Sequence, residues 1–341
     1  MFRPLIAFWL TCGLLLLFSM SGCLSDENNA SGPGERETTP RFSLLRQEEF
    51  RLHDETVPIQ YLHVLIALPE KADADGRFLS VDRLAQKVRM FSEKGVLTGY
   101  LQPEGVAPKA WRPESAGLEH DGRSLLVIEK GGNLWRFDLD GRRPAELLFR
   151  NWLVYRLAVS PNGRLYSLRP MPAGEIHVVE GEKFGASFLE PDENNRFLNY
   201  STGGSVTFDE QGDLYAIRRL EGTVFHFDPA GRVKETWKVS PLYFREFRRD
   251  FNPMKSTRDR EVLMAWGRTH TRFAGIEYLK GGMVAVLVAN DPPAVPNTLE
   301  LYNTNGKHLG GVEFDGFLVG SDGRRDLYAT DKNFFFDSPP M

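Results

Sequence analysis

A turn glycine recurs six times along this chain, each time between two apolar runs and usually after an acidic or amide residue. Consecutive copies of this glycine are separated by 46, 41, 49, 70 and 41 residues, the positions being Gly76, Gly122, Gly163, Gly212, Gly282 and Gly323. Internal repeats of roughly 40 to 50 residues are typical of propellers and solenoids. The spacing therefore predicts six copies of one structural unit.

A second glycine follows the first in five of the copies, at offsets of 19, 19, 18, 19 and 24 residues, namely Gly95, Gly141, Gly181, Gly231 and Gly306. Glycine adopts the positive φ that tight hairpin turns require, so both glycines indicate chain reversals. About 19 residues leave room for two strands of ordinary length and one connection.

An aromatic ring stands four residues before each second glycine, in the order Phe91, Phe137, His177, Phe227 and Tyr302. We interpret this column as rings packed between neighbouring sheets. The segments after the first glycines are rich in β-favouring residues. The sequence thus predicts an all-β chain.

Each copy accommodates one inner strand, two middle strands and one outer strand, which is a blade of a six-bladed β-propeller. The pattern of turn glycine, apolar strand, acidic residue and aromatic-ended strand resembles that of NHL-like and related six-bladed propellers. The match is best from Phe78 to Gly95 and from Leu214 to Gly231, and the resemblance covers roughly residues 58 to 336. It implies an architecture rather than an activity.

The last copy stops soon after Phe334 to Phe336, too early to supply a fourth strand. Residues 41 to 52 precede the first copy and have no other obvious partner. We predict that this segment is the outer strand of the last blade. The alternative is a disordered extension, as is common at chain termini.

The N-terminus has a basic residue, Arg3, then a short apolar run and the small residues Ser21 and Gly22 before Cys23. This order is typical of a secretory signal, and small residues before a cysteine resemble the bacterial lipobox. We expect a lipoprotein signal peptide over residues 1–22, a lipid on Cys23, a flexible tether over 23–40 and a propeller over 41–341. Leu24, by the same resemblance, favours the outer membrane of the cell envelope. An uncleaved anchor and plain secretion stay open.

The formal net charge is −4, and no basic stripe follows the chain, so nucleic acid is not an expected partner. The chain has no CxxC pair, GxSxG elbow or phosphate-binding glycine loop. We expect neither a cofactor nor a bound metal, and we favour a binding protein over an enzyme. His177 and His226 are interpreted as structural.

The ends of the second strands are expected to meet near one mouth of the central channel. They carry Asp82, Glu129, Arg169, Arg218, Asp291 and Asp331. Arg169 and Arg218 could together bind a carboxylate or phosphate of a ligand. Alternatively, the six charges neutralise one another. Resemblance to lactonase- and lyase-type propellers implies a third possibility, a divalent metal held by Asp82, Glu129 and Asp331.

The long interval between the fourth and fifth copies holds an insertion at about 241–270. Its first part alternates aromatic and basic residues, and we predict a partner-binding surface made by Tyr243, Arg245, Arg248, Arg249 and Phe251. The alternative is a basic loop whose aromatics pack into the adjacent blade. The sequence therefore predicts a membrane-tethered module that binds a protein or small ligand, with a metal-dependent enzyme or a purely structural part of an envelope assembly as alternatives.

Overall fold

The structure is a computed structural model of the full chain. It describes residues 14–19, 45–52, 62–68, 78–150, 156–171, 173–191, 205–246, 262, 265–266, 269–290, 295–313, 317–321 and 326–330.

Two strands lie near the N-terminus, β1 (Leu14–Ser19) and β2 (Leu45–Arg51). The next eight are β3 (Leu62–Ala67), β4 (Phe78–Asp82), β5 (Lys87–Phe91), β6 (Leu97–Leu101), β7 (Pro113–Leu118), β8 (Ser124–Glu129), β9 (Leu134–Asp138) and β10 (Glu146–Phe149). They are followed by β11 (Arg156–Val159), β12 (Leu165–Met171), β13 (Gly174–Glu180), β14 (Lys183–Phe188), β15 (Ser205–Phe208), β16 (Leu214–Ile217), β17 (Thr223–Phe227) and β18 (Val233–Lys238). The last six are β19 (Arg272–Leu279), β20 (Met283–Ala289), β21 (Thr298–Asn303), β22 (His308–Glu313), β23 (Phe317–Ser321) and β24 (Asp326–Thr330).

Five four-stranded sheets are built from strands that are consecutive in the chain. The first sheet is β3 to β6, the second β7 to β10, the third β11 to β14, the fourth β15 to β18 and the fifth β19 to β22. Every pairing within them is antiparallel. This is the arrangement that the two turn glycines of each copy predict, and it confirms an all-β chain of four-stranded blades.

The turn glycines have the backbone conformation that their role requires. The nine that lie in the described residues have φ values from 62° to 86°, namely Gly95, Gly122, Gly141, Gly163, Gly181, Gly212, Gly231, Gly282 and Gly306. A side chain beyond glycine is strained in this region. Gly76 and Gly323 lie outside the described residues.

The aromatic column is buried as predicted, no member exposing more than 4% of its surface. The ring of Phe227 on β17 lies 5.1 Å from that of Phe188 on β14, between the third and fourth sheets. The ring of Tyr302 on β21 lies 6.3 Å from that of Trp237 on β18, between the fourth and fifth. These rings therefore join neighbouring blades.

Neighbouring sheets pack face to face around a ring. Inner strand β3 contacts β7, β7 contacts β11, β15 contacts β19, and β23 contacts both β19 and β3. The third and fourth sheets meet through an apolar cluster that includes Tyr166, Val178 and Leu214. Each sheet buries its apolar faces against its neighbours, so the fold is stabilised sheet by sheet around the ring.

A sixth sheet has the order β2-β1-β24-β23, and so combines both ends of the chain. β2 lies at its edge, where the sequence predicts an outer strand, but its partner is β1. β1 also pairs antiparallel with β24, Leu17 facing Tyr328. Because β1 belongs to the predicted signal peptide, closure of the ring by residues 41–52 in the processed protein stays a prediction.

Helix is confined to residues 262 and 265–266 within the part of the chain that the structure describes. That part contains no helix with the length and apolar character needed to cross a bilayer.

Candidate functional site

Asp82, the first residue predicted at the channel mouth, ends β4 and is completely buried. Its Oδ2 lies 3.1 Å from Nη1 of Arg89 on β5, which is equally buried. Its Oδ1 accepts hydrogen bonds from the backbone N–H groups of Leu84 and Ala85. Asp82 therefore closes the turn between two strands of the first sheet and neutralises an internal arginine.

Glu129 has a similar local role at the end of β8. Its Oε2 accepts hydrogen bonds from Nδ2 of Asn133 and Nε1 of Trp135, both at 3.1 Å. Its backbone N–H donates to the Asn133 carbonyl across the same turn. The carboxylate is thus engaged within the second sheet.

Arg218 follows β16 and is largely buried. Its Nη1 lies 3.7 Å from Oε2 of Glu221, and its Nη2 donates to the backbone carbonyl of Glu190, a residue that follows the third sheet. The guanidinium carbon also lies 5.2 Å from the centre of the Phe225 ring. Arg218 thereby joins its own turn to the neighbouring sheet.

For the other three predicted mouth residues, the structure describes no side-chain contacts. The backbone of Arg169 lies on β12, whereas Asp291 and Asp331 lie outside the described residues. Convergence of the six charges on one ligand, or of three carboxylates on a metal, stays a prediction. The described contacts of Asp82, Glu129 and Arg218 instead favour turn and blade stabilisation.

The start of the insertion presents apolar side chains to solvent. Leu242, Tyr243 and Phe244 expose 63%, 36% and 53% of their surface. Val262, later in the insertion, exposes 45%. Of the predicted partner-binding residues, Tyr243 is therefore accessible and Arg245 is half-buried. Arg248, Arg249 and Phe251 lie outside the described residues.

Hydrogen bonds hold the backbone of this segment against the fifth sheet. The N–H of Ser240 donates to the Tyr302 hydroxyl at 2.8 Å, and that of Leu242 donates to Oε1 of Glu300 at 3.0 Å. Arg245 donates its N–H to Oγ1 of Thr271 and accepts the N–H of that residue on its own carbonyl. The exposed side chains are thus carried on a fixed backbone.

Three arginines surround a buried histidine where the insertion rejoins the fifth sheet. Burial, reinforced by the positive charges of Arg272, Arg245 and Arg219, lowers the pKa of His270 to about 4. Backbone hydrogen bonds connect this region, Phe273 donating to the Arg219 carbonyl. We name Arg219, Arg245, Arg272 and His270 the arginine cluster. Within the described residues, Nε and Nη2 of Arg245 have no acceptor.

Sequence reasoning missed Arg219, Arg272 and Leu242. Phe244 lies in the predicted run of aromatic and basic residues but was not among the predicted partner-binding residues. Arg219 directly follows a predicted mouth residue, so the run of two arginines after β16 was the available signal. The burial of Arg272 depends on how the insertion folds back onto β19, which no local pattern reveals.

A separate group of potential metal ligands lies in the fourth sheet. Asp209, Asp213 and His226 are all buried, and one ligand atom from each lies within 4.8 Å of the others. Neither aspartate was singled out from the sequence, and His226 was interpreted as structural. The sequence offered one signal. Asp213 follows the first turn glycine of its copy, whereas arginine follows that glycine in four other copies.

No protein-family model and no curated protein matches this chain. Similarity appears instead among solved structures, 960 chains of which match. A "putative exported protein" from Bacteroides fragilis is 8% identical, with a TM-score of 0.52, over 82% of this chain and 92% of that one. A protein of unknown function from Bacteroides caccae is 11% identical, with a TM-score of 0.50, over 89% and 95%.

The selenomethionine form of virginiamycin B lyase from Staphylococcus aureus is also similar. It is 13% identical, with a TM-score of 0.50, over 84% of this chain and 85% of the lyase. The chain is a β-propeller of four-stranded antiparallel blades. Identities this low establish the shared fold alone, and the breadth of the matches means that the fold does not indicate an activity.

Proposed function

We propose that this propeller is a non-catalytic binding module that captures a partner protein through the insertion at 241–270. The observation that carries the proposal is the exposure of Leu242, Tyr243 and Phe244 on a backbone held by hydrogen bonds to the fifth sheet. Adjacent exposed apolar and aromatic side chains are typical of protein contact surfaces.

The fixed backbone supports this role energetically. A flexible loop loses conformational freedom when it binds, and that loss reduces affinity. Ser240, Leu242 and Arg245 are already ordered by bonds to residues of the fifth sheet. Little additional ordering is then needed when a partner covers the apolar side chains.

The charge of the adjacent arginine cluster specifies the partner's chemistry. Arg245 is half-buried, directly follows the exposed side chains and belongs to the cluster. Guanidinium groups favour carboxylates through paired, charge-assisted hydrogen bonds. We infer that the partner surface combines apolar side chains with at least one acidic group.

The same proposal places the protein at the bacterial cell envelope. Residues 1–22 serve as a lipoprotein signal peptide, Cys23 carries the lipid, and residues 23–40 hold the propeller away from the outer membrane. The structural likeness to an exported protein is compatible with this location. Incorporation of labelled palmitate into the full chain, and its loss in Cys23→Ala, would test the anchor.

We further propose that the processed protein has six blades. Removal of residues 1–22 takes β1 out of the sixth sheet, between β24 and β2. The residues after β24, including Phe334 to Phe336, then have an open strand edge to pair with, and β2 keeps the outer position. The N-terminal segment 41–52 would thereby close the last blade.

A metal-dependent enzyme with its site in the channel is the alternative function. It is supported by the likeness to a lyase of the same fold. It requires Asp82 and Glu129 as ligands, but Asp82 neutralises a buried arginine, and Glu129 accepts two side-chain hydrogen bonds within its own turn. The binding module therefore accords better with the described contacts.

Site-specific photocrosslinking in the producing cell tests the binding module. A benzophenone amino acid replaces Phe244 in one variant and Val233 in a matched control. Val233 is exposed to 57%, but it begins the outer strand of the fourth sheet and is not part of the insertion. A partner should be crosslinked at position 244 and not at position 233.

Charge reversal supplies the second arm of the test. Arg245→Glu should strongly reduce the crosslink at position 244, because it places a carboxylate opposite the acidic group of the partner. Equal crosslinking at both positions, or none at position 244, would reject the insertion as the binding surface.

A further inference from the structure

We propose that Asp209, Asp213 and His226 form a binding site for a divalent transition-metal ion such as Zn²⁺ or Mn²⁺. In the metal-free protein the ammonium group of Lys234 takes the place of the ion. The site lies between the fourth and fifth sheets. It is independent of the insertion and of the predicted channel mouth.

The fourth sheet brings the three ligands together from one turn and one strand. Asp209 directly follows the inner strand β15, Asp213 directly precedes β16, and His226 lies on β17. His226 Nε2 lies 3.1 Å from Oδ2 of Asp213. Two backbone N–H groups bond to Oδ1 of Asp209 and orient that carboxylate. Carboxylate oxygen and imidazole nitrogen are ligands that zinc and manganese accept.

Two buried polar atoms beside this group lack a hydrogen-bond partner within the described residues. They are Nδ1 of His226 and the hydroxyl of Tyr215. The Tyr215 ring is stacked on His226 with 4.2 Å between centroids and is fully buried. Buried polar atoms normally have a partner, so the Tyr215 hydroxyl on the ring stacked against His226 points to a missing ion-bound water. Nδ1 of His226 lies across the ring from Nε2, the nitrogen that approaches Asp213, and is not a ligand of the same ion.

The buried charges balance with a divalent ion and do not balance with lysine. Asp209 and Asp213 carry two negative charges when ionised, and Lys234 supplies one positive charge. A divalent ion would neutralise both carboxylates.

Lys234 can leave without disturbing the sheet. Its Nζ lies 2.5 Å from Oδ2 of Asp213, but its side chain is 48% exposed. His226 faces Glu235 and Phe227 faces Val233, so Lys234 is the extra residue of a β-bulge. The equivalent bulges of the first and fifth sheets hold Thr98 and Leu309. Among these three bulges, the cation lies in the blade that carries the two aspartates.

Isothermal titration calorimetry of the full chain, first treated with chelator and then dialysed, tests the site with ZnCl₂ and with MnCl₂. One equivalent of at least one metal should bind. Asp213→Asn and His226→Gln should each weaken that binding by about 10- to 100-fold or more, as ligand-shell changes do. Lys234→Met should strengthen it by roughly tenfold, because a competing positive charge has been removed.

Asp228→Asn is the matched control. Asp228 also bonds to backbone N–H groups in a turn of the fourth sheet, but it is only partly buried and lies outside the ligand group. The metal affinity of Asp228→Asn should stay within about twofold of that of the parent, because no proposed ligand is changed. Far-UV circular dichroism and thermal unfolding without metal verify that each variant is folded.

A second readout does not depend on affinity. Co²⁺ bound through His226 should give visible d–d absorption that is lost in His226→Gln. Absence of saturable binding in both the parent and Lys234→Met would overturn the proposal, as would undiminished binding in folded Asp213→Asn.

Discussion

Arg89 and Asp82 form an ion pair with no solvent exposure on either side chain, their Nη1 and Oδ2 atoms lying 3.1 Å apart. The pair joins two adjacent strands of the first sheet. Breaking a buried pair by removing one member leaves the other charge uncompensated and is strongly destabilising. Asp82 is therefore first of all a stability residue.

Asp82→Ala should lower the free energy of unfolding by about 3 to 5 kcal/mol, because it leaves Arg89 buried without its counter-charge. Urea unfolding followed by circular dichroism measures the change. The double variant Asp82→Leu/Arg89→Met should recover much of the loss. A single-variant loss below about 1 kcal/mol, typical of an exposed pair, would contradict the buried pairing.

Gly222 and Gly181 have the same φ of 62° but different surroundings. A Cβ at Gly222 would lie 2.1 Å from the ring of Phe273, whereas one at Gly181 would have no neighbour within 4 Å. Gly181→Ala should therefore cost only the left-handed backbone strain of roughly 1 to 2 kcal/mol.

Gly222→Ala should cost about 1 to 3 kcal/mol more than Gly181→Ala, because the fifth sheet must move to accommodate the methyl group. Paired denaturant titrations of the two variants measure this difference directly. Equal losses would mean that the fourth and fifth sheets are not packed as closely here as the structure places them.

Because of His270, the free energy of unfolding should change with pH in the acid range. Burial and then the charges of Arg272, Arg245 and Arg219 lower its pKa from 6.5 to about 4, so the folded chain keeps this imidazole neutral. The unfolded chain therefore binds a proton more readily than the folded chain does. The contribution of the neutral His270 to stability is complete above pH 6.5 and is lost as the pH falls to about 4.

His270→Asn removes that titration. Melting temperatures at pH 7.5 and pH 4.5 should therefore differ less for this variant than for the parent. Identical pH dependence in the two proteins would show that His270 does not titrate in this interval.

Truncation tests the closure of the ring. Residues 41–341 should unfold cooperatively, whereas residues 53–341 should melt at a lower temperature and aggregate, because the last sheet then has an exposed edge. Differential scanning calorimetry and light scattering at matched concentrations measure both effects. Equal behaviour of the two chains would assign residues 41–52 to the tether.

The sequence was sufficient for the blades because each requirement was local and repeated. Gly122 and Gly141 mark hairpins through their own backbone conformation, and Phe227 and Tyr302 occupy equivalent positions in equivalent strands. Six copies of one pattern reinforce a prediction that a single copy could not support.

The candidate sites were harder to predict from the sequence, because they depend on departures from the repeat. A strand end identifies Asp82 but not whether its carboxylate faces a channel or pairs with Arg89. Asp213 and Lys234 meet only because a bulge brings the lysine onto the aspartate. Arg272 is close to Arg245 only because the insertion folds back onto the fifth sheet.

The place of β1 in the sixth sheet has a consequence for the order of biogenesis. If residues 1–22 direct export, a leader paired with β24 cannot at the same time be held by an export machinery. The ring could then be completed only after the leader has been removed, on the far side of the membrane. The five sheets made of consecutive strands need no such step. The sixth sheet, which combines the two ends of the chain, would therefore be the last part of the precursor to reach its final structure.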